Sequence, residues 1–124
     1  KVVQPHLAPQ ANMVVVSSQL ATRGSPHGAD YAASKAALST WARSLALAVG
    51  PEGKRVNVLA PGYVDTDILA GDSDEKRNQR IQEVPLKWIG TGEDMASIVS
   101  FLLSNDAAYI TGSVLHANCG LYLP

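Results

Sequence analysis

The apolar positions of this chain fall into short unbroken runs separated by longer stretches of helical periodicity. Met13-Val-Val-Val16 is one run, closed by Ser17 and Ser18; Val56, Val58 and Leu59 form a second within residues 55–60, and residues 113–117 a third. Runs of this length bounded by turn residues predict buried strands over 13–17, 55–60 and 113–117. Between the first two, from about 30 to 49, Leu38, Trp41, Leu45 and Val49 recur at three- and four-residue steps among Ala32, Ala33, Ala36, Ala37 and Ala42, strong helix formers. The helix predicted there is stopped by Gly50-Pro51-Glu-Gly53, with glycine just past its end and a proline that cannot continue it. Strand, long helix and strand spell a right-handed parallel crossover. Both strands then end at the same edge of the sheet, where open α/β sheets bind their ligands.

The remaining pattern fills in around that unit. Residues 1–8 fit the end of a helix stopped by Pro9, and Ala11-Asn12 turn the chain into the first strand. Residues 19–28, with Gly24, Ser25, Pro26 and Gly28, predict a loop. Residues 63–89 form a long polar excursion, and connections of that length in compact domains are usually functional or mobile. A short helix is expected at 74–83 with its charges facing water, and Trp88 is expected to anchor the excursion rather than line a pocket. Thr91 N-caps a last helix, with Asp94 reaching back in a capping box and Met95, Ile98, Val99, Leu102 and Leu103 on its apolar face.

Composition narrows the function. The chain has 124 residues, 46% of them hydrophobic and 17% charged, an ordinary globular balance for one domain. A formal net charge of -1 and no basic run argue against nucleic acid, because Lys76, Arg77 and Arg80 sit among Asp72, Asp74, Glu75 and Glu83. Those charges are expected to form a solvated surface. Cys119 is the one cysteine, so no internal disulfide forms and a reducing, cytoplasmic setting is the simpler assumption. His6, His27 and His116 are scattered without a second ligand nearby, so no metal site is expected. No apolar run approaches the roughly 18 residues of a membrane helix.

Candidate chemistry sits where the first strand meets the long helix. Ser18 would lie at a strand's C-terminal end, and Tyr31 and Lys35 stand at i and i+4 on one helix face. A phenol, with a reference pKa of about 10, is a poor acid or base at neutral pH, but a neighbouring cation favours its phenolate. Each residue alone has an ordinary explanation: Lys35 as a solvated helix residue, Ser18 as a strand-end or turn residue. The serine, the pair and the later turn Ala60-Pro61-Gly62-Tyr-Val64-Asp-Thr66, occurring in one order at compatible spacings, make the combination specific.

Ser18, Tyr31-Ala-Ala-Ser-Lys35-Ala-Ala-Leu, Arg55-Val-Asn-Val-Leu-Ala-Pro-Gly62 and Tyr109-Ile-Thr-Gly112 resemble the C-terminal half of a short-chain dehydrogenase/reductase, and the resemblance runs through nearly the whole chain. It implies an α/β fold, a Rossmann-like doubly wound parallel sheet that binds NAD or NADP and transfers hydride between the nicotinamide and a carbonyl or secondary alcohol. By position, Tyr31 would be the proton donor or acceptor, Lys35 would lower its pKa and hold the nicotinamide ribose, and Ser18 would hydrogen-bond the substrate oxygen. Pro61, Gly62, Val64 and Thr66 match the loop that contacts the nicotinamide end of the cofactor. The excursion at 63–89 would be the lid over the substrate. The long helix would pack against its counterpart in a second subunit, so a homo-oligomer, dimer or tetramer, is implied.

Some of the pattern departs from the family. No glycine-rich phosphate turn opens a helix after a strand, and the family's catalytic asparagine would lie before residue 1, with Asn12 too close to Ser18 to replace it. The first residues read as the tail of an element already under way, so residues 1–124 are expected to be the catalytic and substrate half of one domain. The family usually has an acidic residue and two glycines where this chain reads Asn118-Cys119-Gly120, which puts a Cβ where a glycine backbone is expected. Two functions from different classes therefore stand: an NAD(P)-dependent oxidoreductase, and a non-catalytic binding or assembly module lacking the dinucleotide half.

Overall fold

A computed structural model describes residues 6–124; of the helix end expected over 1–8, residues 1–5 lie outside the described residues. Three strands, β1 (Asn12–Val16), β2 (Arg55–Pro61) and β3 (Val114–Ala117), form a parallel sheet in the order β1-β2-β3. The register pairs Met13 with Val56, Val16 with Leu59, Val58 with Val114 and Pro61 with Ala117. All three strands thus end at one edge, as the crossover pattern requires. β2 is central and its first six residues are buried, which is why it reads as an unbroken apolar run apart from Arg55 and Asn57.

Among the described residues four α-helices accompany the strands: α1 (Leu20–Arg23), α2 (Ala29–Val49), α3 (Asp74–Glu83) and α4 (Gly92–Leu103). α2 lays Ala42, Leu45, Ala46 and Val49 on Val56 and Val58, with Met13, Val15 and Val114 packed at the margin of the same cluster. Side chains alternate along a strand, so Asn12, Arg55 and Asn57 leave by the other face. There Asn12 Nδ2 donates to the Leu103 carbonyl at 2.9 Å, and Arg55 Nη1 and Nη2 donate to the Leu102 and Ser104 carbonyls, both at 2.9 Å. These carbonyls are the orphan acceptors at the end of α4, so Arg55, 9% exposed, is a buried cation held by a helix C-terminus. Helices on both faces make this a doubly wound α/β sheet.

Several local expectations hold and a few need correction. Thr91 and Asp94 form the capping box: Asp94 N–H donates to Thr91 Oγ1 at 3.2 Å, and Thr91 N–H donates to Asp94 Oδ2 at 2.7 Å. The helix expected at 74–83 is α3. Residues 19–28 are not wholly loop, because α1 makes one helical turn there before Gly24 (φ 78°) ends it. Its four residues carry too little apolar periodicity to be read from sequence. The glycine that turns the chain after α2 is Gly53, at φ 72°, and not Gly50, whose φ of -55° continues the helix into a 3-10 turn at Gly50–Glu52. On α2, Leu45 and Val49 are buried but Trp41 is 43% exposed, so the stripe drawn through Leu38 and Trp41 drifts off the core face.

Candidate active site at the strand C-termini

The end of β1 is stapled to α2 one turn beyond Tyr31. Ser17 Oγ donates to the Lys35 carbonyl at 3.0 Å and lies 2.8 Å from Ser39 Oγ, whose own hydroxyl shares that carbonyl at 2.9 Å. Ser17 and Ser39 are both buried, so these bonds satisfy polar groups that water does not reach. Lys35 completes the joint with its side chain, Nζ donating to the Val16 carbonyl at 3.1 Å. Its ammonium stands 5.7 Å from the centroid of the Tyr31 ring, within cation–π range. The i, i+4 spacing therefore yields the predicted phenol and ammonium pair, with Tyr31 itself 44% exposed.

Ser18 follows directly. It is 9% exposed, and its Oγ accepts from the Leu20 N–H at 3.2 Å at the start of α1, which packs on α2. The next residue ties this corner to β2, because Gln19 N–H donates to the Pro61 carbonyl at 3.0 Å. Ser18, the Tyr31/Lys35 face and the Pro61-Gly62 turn thus belong to one edge of the sheet. Val64 forms a bridge with Gly90, and Thr66, exposed, directs its hydroxyl to the Val64 carbonyl at 3.5 Å.

Gly62 has a role that the sequence did not reveal. A Cβ built there would lie 2.7 Å from Asn118 Cβ and 2.8 Å from Asn118 Cα, while Gly62 N–H donates to the Ala117 carbonyl at 2.9 Å. The glycine lets the turn after β2 press against the turn after β3. Asn118 is buried and builds that second turn, its Oδ1 accepting from Gly120 N–H at 3.1 Å and its Nδ2 donating to the Tyr122 carbonyl at 2.7 Å. Cys119 adopts φ 51°, the left-handed conformation that a glycine takes without cost. Burial pushes its thiol pKa up, with the Asp94 charge adding to it.

Other functional and structural partners were not legible from local pattern. Asn57, 1% exposed, donates to the Ile110 carbonyl at 2.8 Å and accepts from Ser113 N–H at 3.1 Å, and Thr111 Oγ1 accepts from Val56 N–H at 3.1 Å. The Tyr109-Ile-Thr-Gly112 segment is thereby the clamp that delivers β3 to β2. Residues 63–89 carry paired charges rather than merely solvated ones: Asp65 meets Arg77, and Asp72 meets Lys76 and Arg80. The guanidinium of Arg77 holds the Asp65 carboxyl below its usual range, and Arg80, then Lys76, do the same for Asp72. Trp88, for which anchoring was the favoured of two readings, lines a hollow of about 730 Å³ with Pro85, Met95, Ile98 and Leu123. The lining of that hollow includes none of Ser18, Tyr31 and Lys35, so it is separate from the pair. Among the described residues no cluster of three or more His, Cys, Asp and Glu could hold a metal ion, and no helix is long and apolar enough to cross a membrane.

Comparison with known proteins places this geometry. A family model described as enoyl-(acyl carrier protein) reductase matches residues 1–122. The 3-oxoacyl-(acyl-carrier-protein) reductase of Chlamydia muridarum is 40% identical over 121 residues, which cover 97% of this chain and 49% of that protein. Its counterpart in Salmonella typhimurium is 40% identical over 111 residues, covering 90% of this chain and 46% of the relative. Among solved structures, a short-chain dehydrogenase/reductase of the glucose/ribitol dehydrogenase type from Brucella melitensis superposes with a TM-score of 0.91 at 30% identity, over 98% of this chain and 49% of that one. The chain spans about half the length of the curated relatives it matches. With a family model matched over residues 1–122 and a solved short-chain dehydrogenase/reductase superposing over 98% of this chain, the chain belongs to the short-chain dehydrogenase/reductase family.

Proposed function

We propose that this chain is the catalytic and substrate half of an NAD(P)-dependent oxidoreductase that interconverts a carbonyl and a secondary alcohol. The observation that carries the reading is Lys35: one side chain held by the Val16 carbonyl at the end of β1, with its ammonium 5.7 Å from the Tyr31 ring. The donor set suits a nicotinamide ribose, because an ammonium has three N–H donors and the Val16 carbonyl takes one, leaving capacity for a sugar diol. Bound there, NAD or NADP would supply or accept the hydride. Tyr31 Oη gives its proton to the substrate oxygen in reduction and takes it back in oxidation. Lys35 stabilises the phenolate left behind, and Ser18 Oγ hydrogen-bonds the same substrate oxygen. Pro61, Gly62, Val64 and Thr66 border the nicotinamide end. Similarity to two 3-oxoacyl reductases favours a ketone at the 3-position of an acyl chain as substrate.

A proton donor positioned in this way contributes on the order of 10²–10⁴ in rate. Tyr31→Phe and Lys35→Met are each expected to abolish turnover while circular dichroism and thermal unfolding stay near wild type, since Tyr31 is largely exposed and Lys35 half-buried. Near-normal turnover in either variant ends the proposal. The competing reading, a non-catalytic binding or assembly module, is motivated by the lack of a glycine-rich phosphate turn in these 124 residues. It requires that calorimetry find no saturable binding of dinucleotide. An oligomer is part of the proposal: Ala33, Ala37, Trp41 and Ala48 form an exposed stripe on α2 suited to a second copy, testable by sedimentation. A single cysteine, Cys119, with no second one in the sequence to form an internal disulfide, suits a reducing compartment such as the cytoplasm.

A further inference from the structure

Among the described residues three serines of the long helices turn their hydroxyls back to the carbonyl four residues earlier: Ser39 to Lys35 at 2.9 Å, Ser44 to Thr40 at 3.1 Å and Ser97 to Glu93 at 2.9 Å. The helix does not need these bonds, since each carbonyl already accepts from the N–H four residues on. Ser44 and Ser97 are exposed, whereas Ser39 is buried on a helix otherwise rich in alanine. Alanine is the better helix former and has no hydroxyl to desolvate, so the helix by itself does not explain a serine at position 39.

What sets Ser39 apart is its partner on the strand. Ser17 Oγ lies 2.8 Å from Ser39 Oγ and 3.0 Å from the same Lys35 carbonyl. The two hydroxyls and the carbonyl close a ring in which each hydroxyl has a partner, whichever of them donates to the carbonyl. Ser17 is itself anchored, because its N–H donates to the Leu59 carbonyl at 2.8 Å, and with Gln19 N–H on the Pro61 carbonyl Ser18 is suspended between two backbone bonds to β2. Lys35 is therefore tied to the end of β1 twice, by its carbonyl to Ser17 and by its Nζ to the Val16 carbonyl at 3.1 Å. A lysine held only at its tip can follow a sliding helix turn by changing rotamers; held at both ends it cannot.

We propose that Ser17 is a positioning residue and Ser39 its buttress: the buried hydroxyl pair fixes the α2 turn that carries Lys35, and with it the ammonium beside the Tyr31 ring, relative to the Ser18 hydroxyl. The chemistry being positioned rests on the oxidoreductase reading; the staple itself does not. Ser17 stands one residue before Ser18 and Ser39 one turn after Lys35, so a slip in the staple reaches both halves of the site at once.

Ser17→Ala is the decisive variant, because it cuts the strand from the helix and leaves Ser39 bonded to the Lys35 carbonyl, so no buried hydroxyl is orphaned. Ser17→Ala/Ser39→Ala removes both polar partners together, which is close to neutral for stability. In the whole protein either variant should lower kcat about tenfold, part of what a displacement near 1 Å costs, while KM for a 3-oxoacyl substrate stays within about twofold. Ser44→Ala, the same helix motif without the strand, should change neither. A second readout needs no turnover: brief acetylation of the folded protein with acetic anhydride, followed by mass spectrometry of Lys35 against Lys76, whose side chain is 57% exposed. Relative to Lys76, Lys35 should react roughly fivefold faster in Ser17→Ala than in wild type, the ratio expected when one hydrogen bond no longer holds it. Wild-type kcat in Ser17→Ala, a loss of kcat that only tracks the loss of folded protein in urea, or a labelling ratio that stays at the wild-type value overturns the proposal. A wild-type protein without turnover removes the oxidoreductase reading, and the labelling ratio then decides the staple alone; turnover that is indifferent to Ser17→Ala removes only the staple.

Discussion

Gly62→Ala separates two reasons for a glycine at the same position. If Gly62 serves only to let a cofactor approach, an added methyl group costs binding and leaves the fold untouched. The contact with Asn118 predicts otherwise. Real Cβ atoms rarely come nearer than 3.0–3.4 Å to another atom, so distances of 2.7 Å and 2.8 Å require a displacement of several tenths of an ångström. Rotating a side chain cannot relieve it, because one of the two atoms is the Asn118 Cα. Nor is the Asn118 turn free to retreat, since Gly120 N–H, the Tyr122 carbonyl and the Gly62–Ala117 hydrogen bond all hold it. Overpacking of this kind costs about 1–3 kcal/mol. Urea unfolding should show it as a midpoint lowered by roughly 1 M for an m-value of about 2 kcal/mol/M. Gly24→Ala is the comparison: unlike at Gly62, φ there is positive, at 78°, and nothing lies within 4 Å, so its cost of about 1 kcal/mol is conformational only. Asn118→Gly removes the Cβ at 2.7 Å and leaves the Cα at 2.8 Å, so a double-mutant cycle with Gly62→Ala should recover about half the loss. A Gly62→Ala protein with the wild-type urea midpoint refutes the packing argument.

Three further outcomes follow from the same turns and helix ends. Cys119→Gly should stabilise the protein by about 0.5–1 kcal/mol in urea unfolding, because it places glycine at φ 51°; destabilisation would mean that the thiol's packing outweighs backbone strain. Arg55→Met leaves the Leu102 carbonyl without its donor and removes one of two donors from each of the Ser104 and Ile110 carbonyls, which keep the Ala107 N–H and the Asn57 amide; it should cost about 1–3 kcal/mol, read as a fall in melting temperature that Arg55→Lys only partly reverses. The Asp94 carboxyl is held below its usual pKa first by the Thr91 N–H and then by the Thr91 hydroxyl, so its contribution is complete above the unfolded value of about 3.9 and fades as pH drops through the lower folded one. Stability profiles of wild type and Asp94→Asn should therefore converge in acid and separate above about pH 4; parallel profiles would contradict that assignment.

How much of this molecule could be read from its sequence depends on how far along the chain each cause lies. The Thr91–Asp94 box is complete within four residues, and the Tyr31/Lys35 pair within five, so both were legible once a helix was recognised. The crossover was legible because strand, helix and strand each carry their own periodicity. α1 was not, since one turn holds too few apolar positions, and the ion pairs of 63–83 looked like solvated charge because sequence order does not say which Asp faces which Arg. Gly62 is the instructive case. Ligand approach and close backbone packing both demand the absence of a Cβ, so a glycine after Pro61 has the same signature either way; only the fold shows Asn118 against it. The two explanations are not rivals at this site. A turn pressed against its neighbour by packing is also a turn held still, and a loop that borders a reacting group has to be held to well under an ångström for the chemistry to proceed. The methyl group that destabilises the fold should thus also displace Val64 and Thr66. Turnover should then fall by more than the loss of folded protein explains, a difference measurable as a drop in kcat at a temperature where Gly62→Ala is still fully folded.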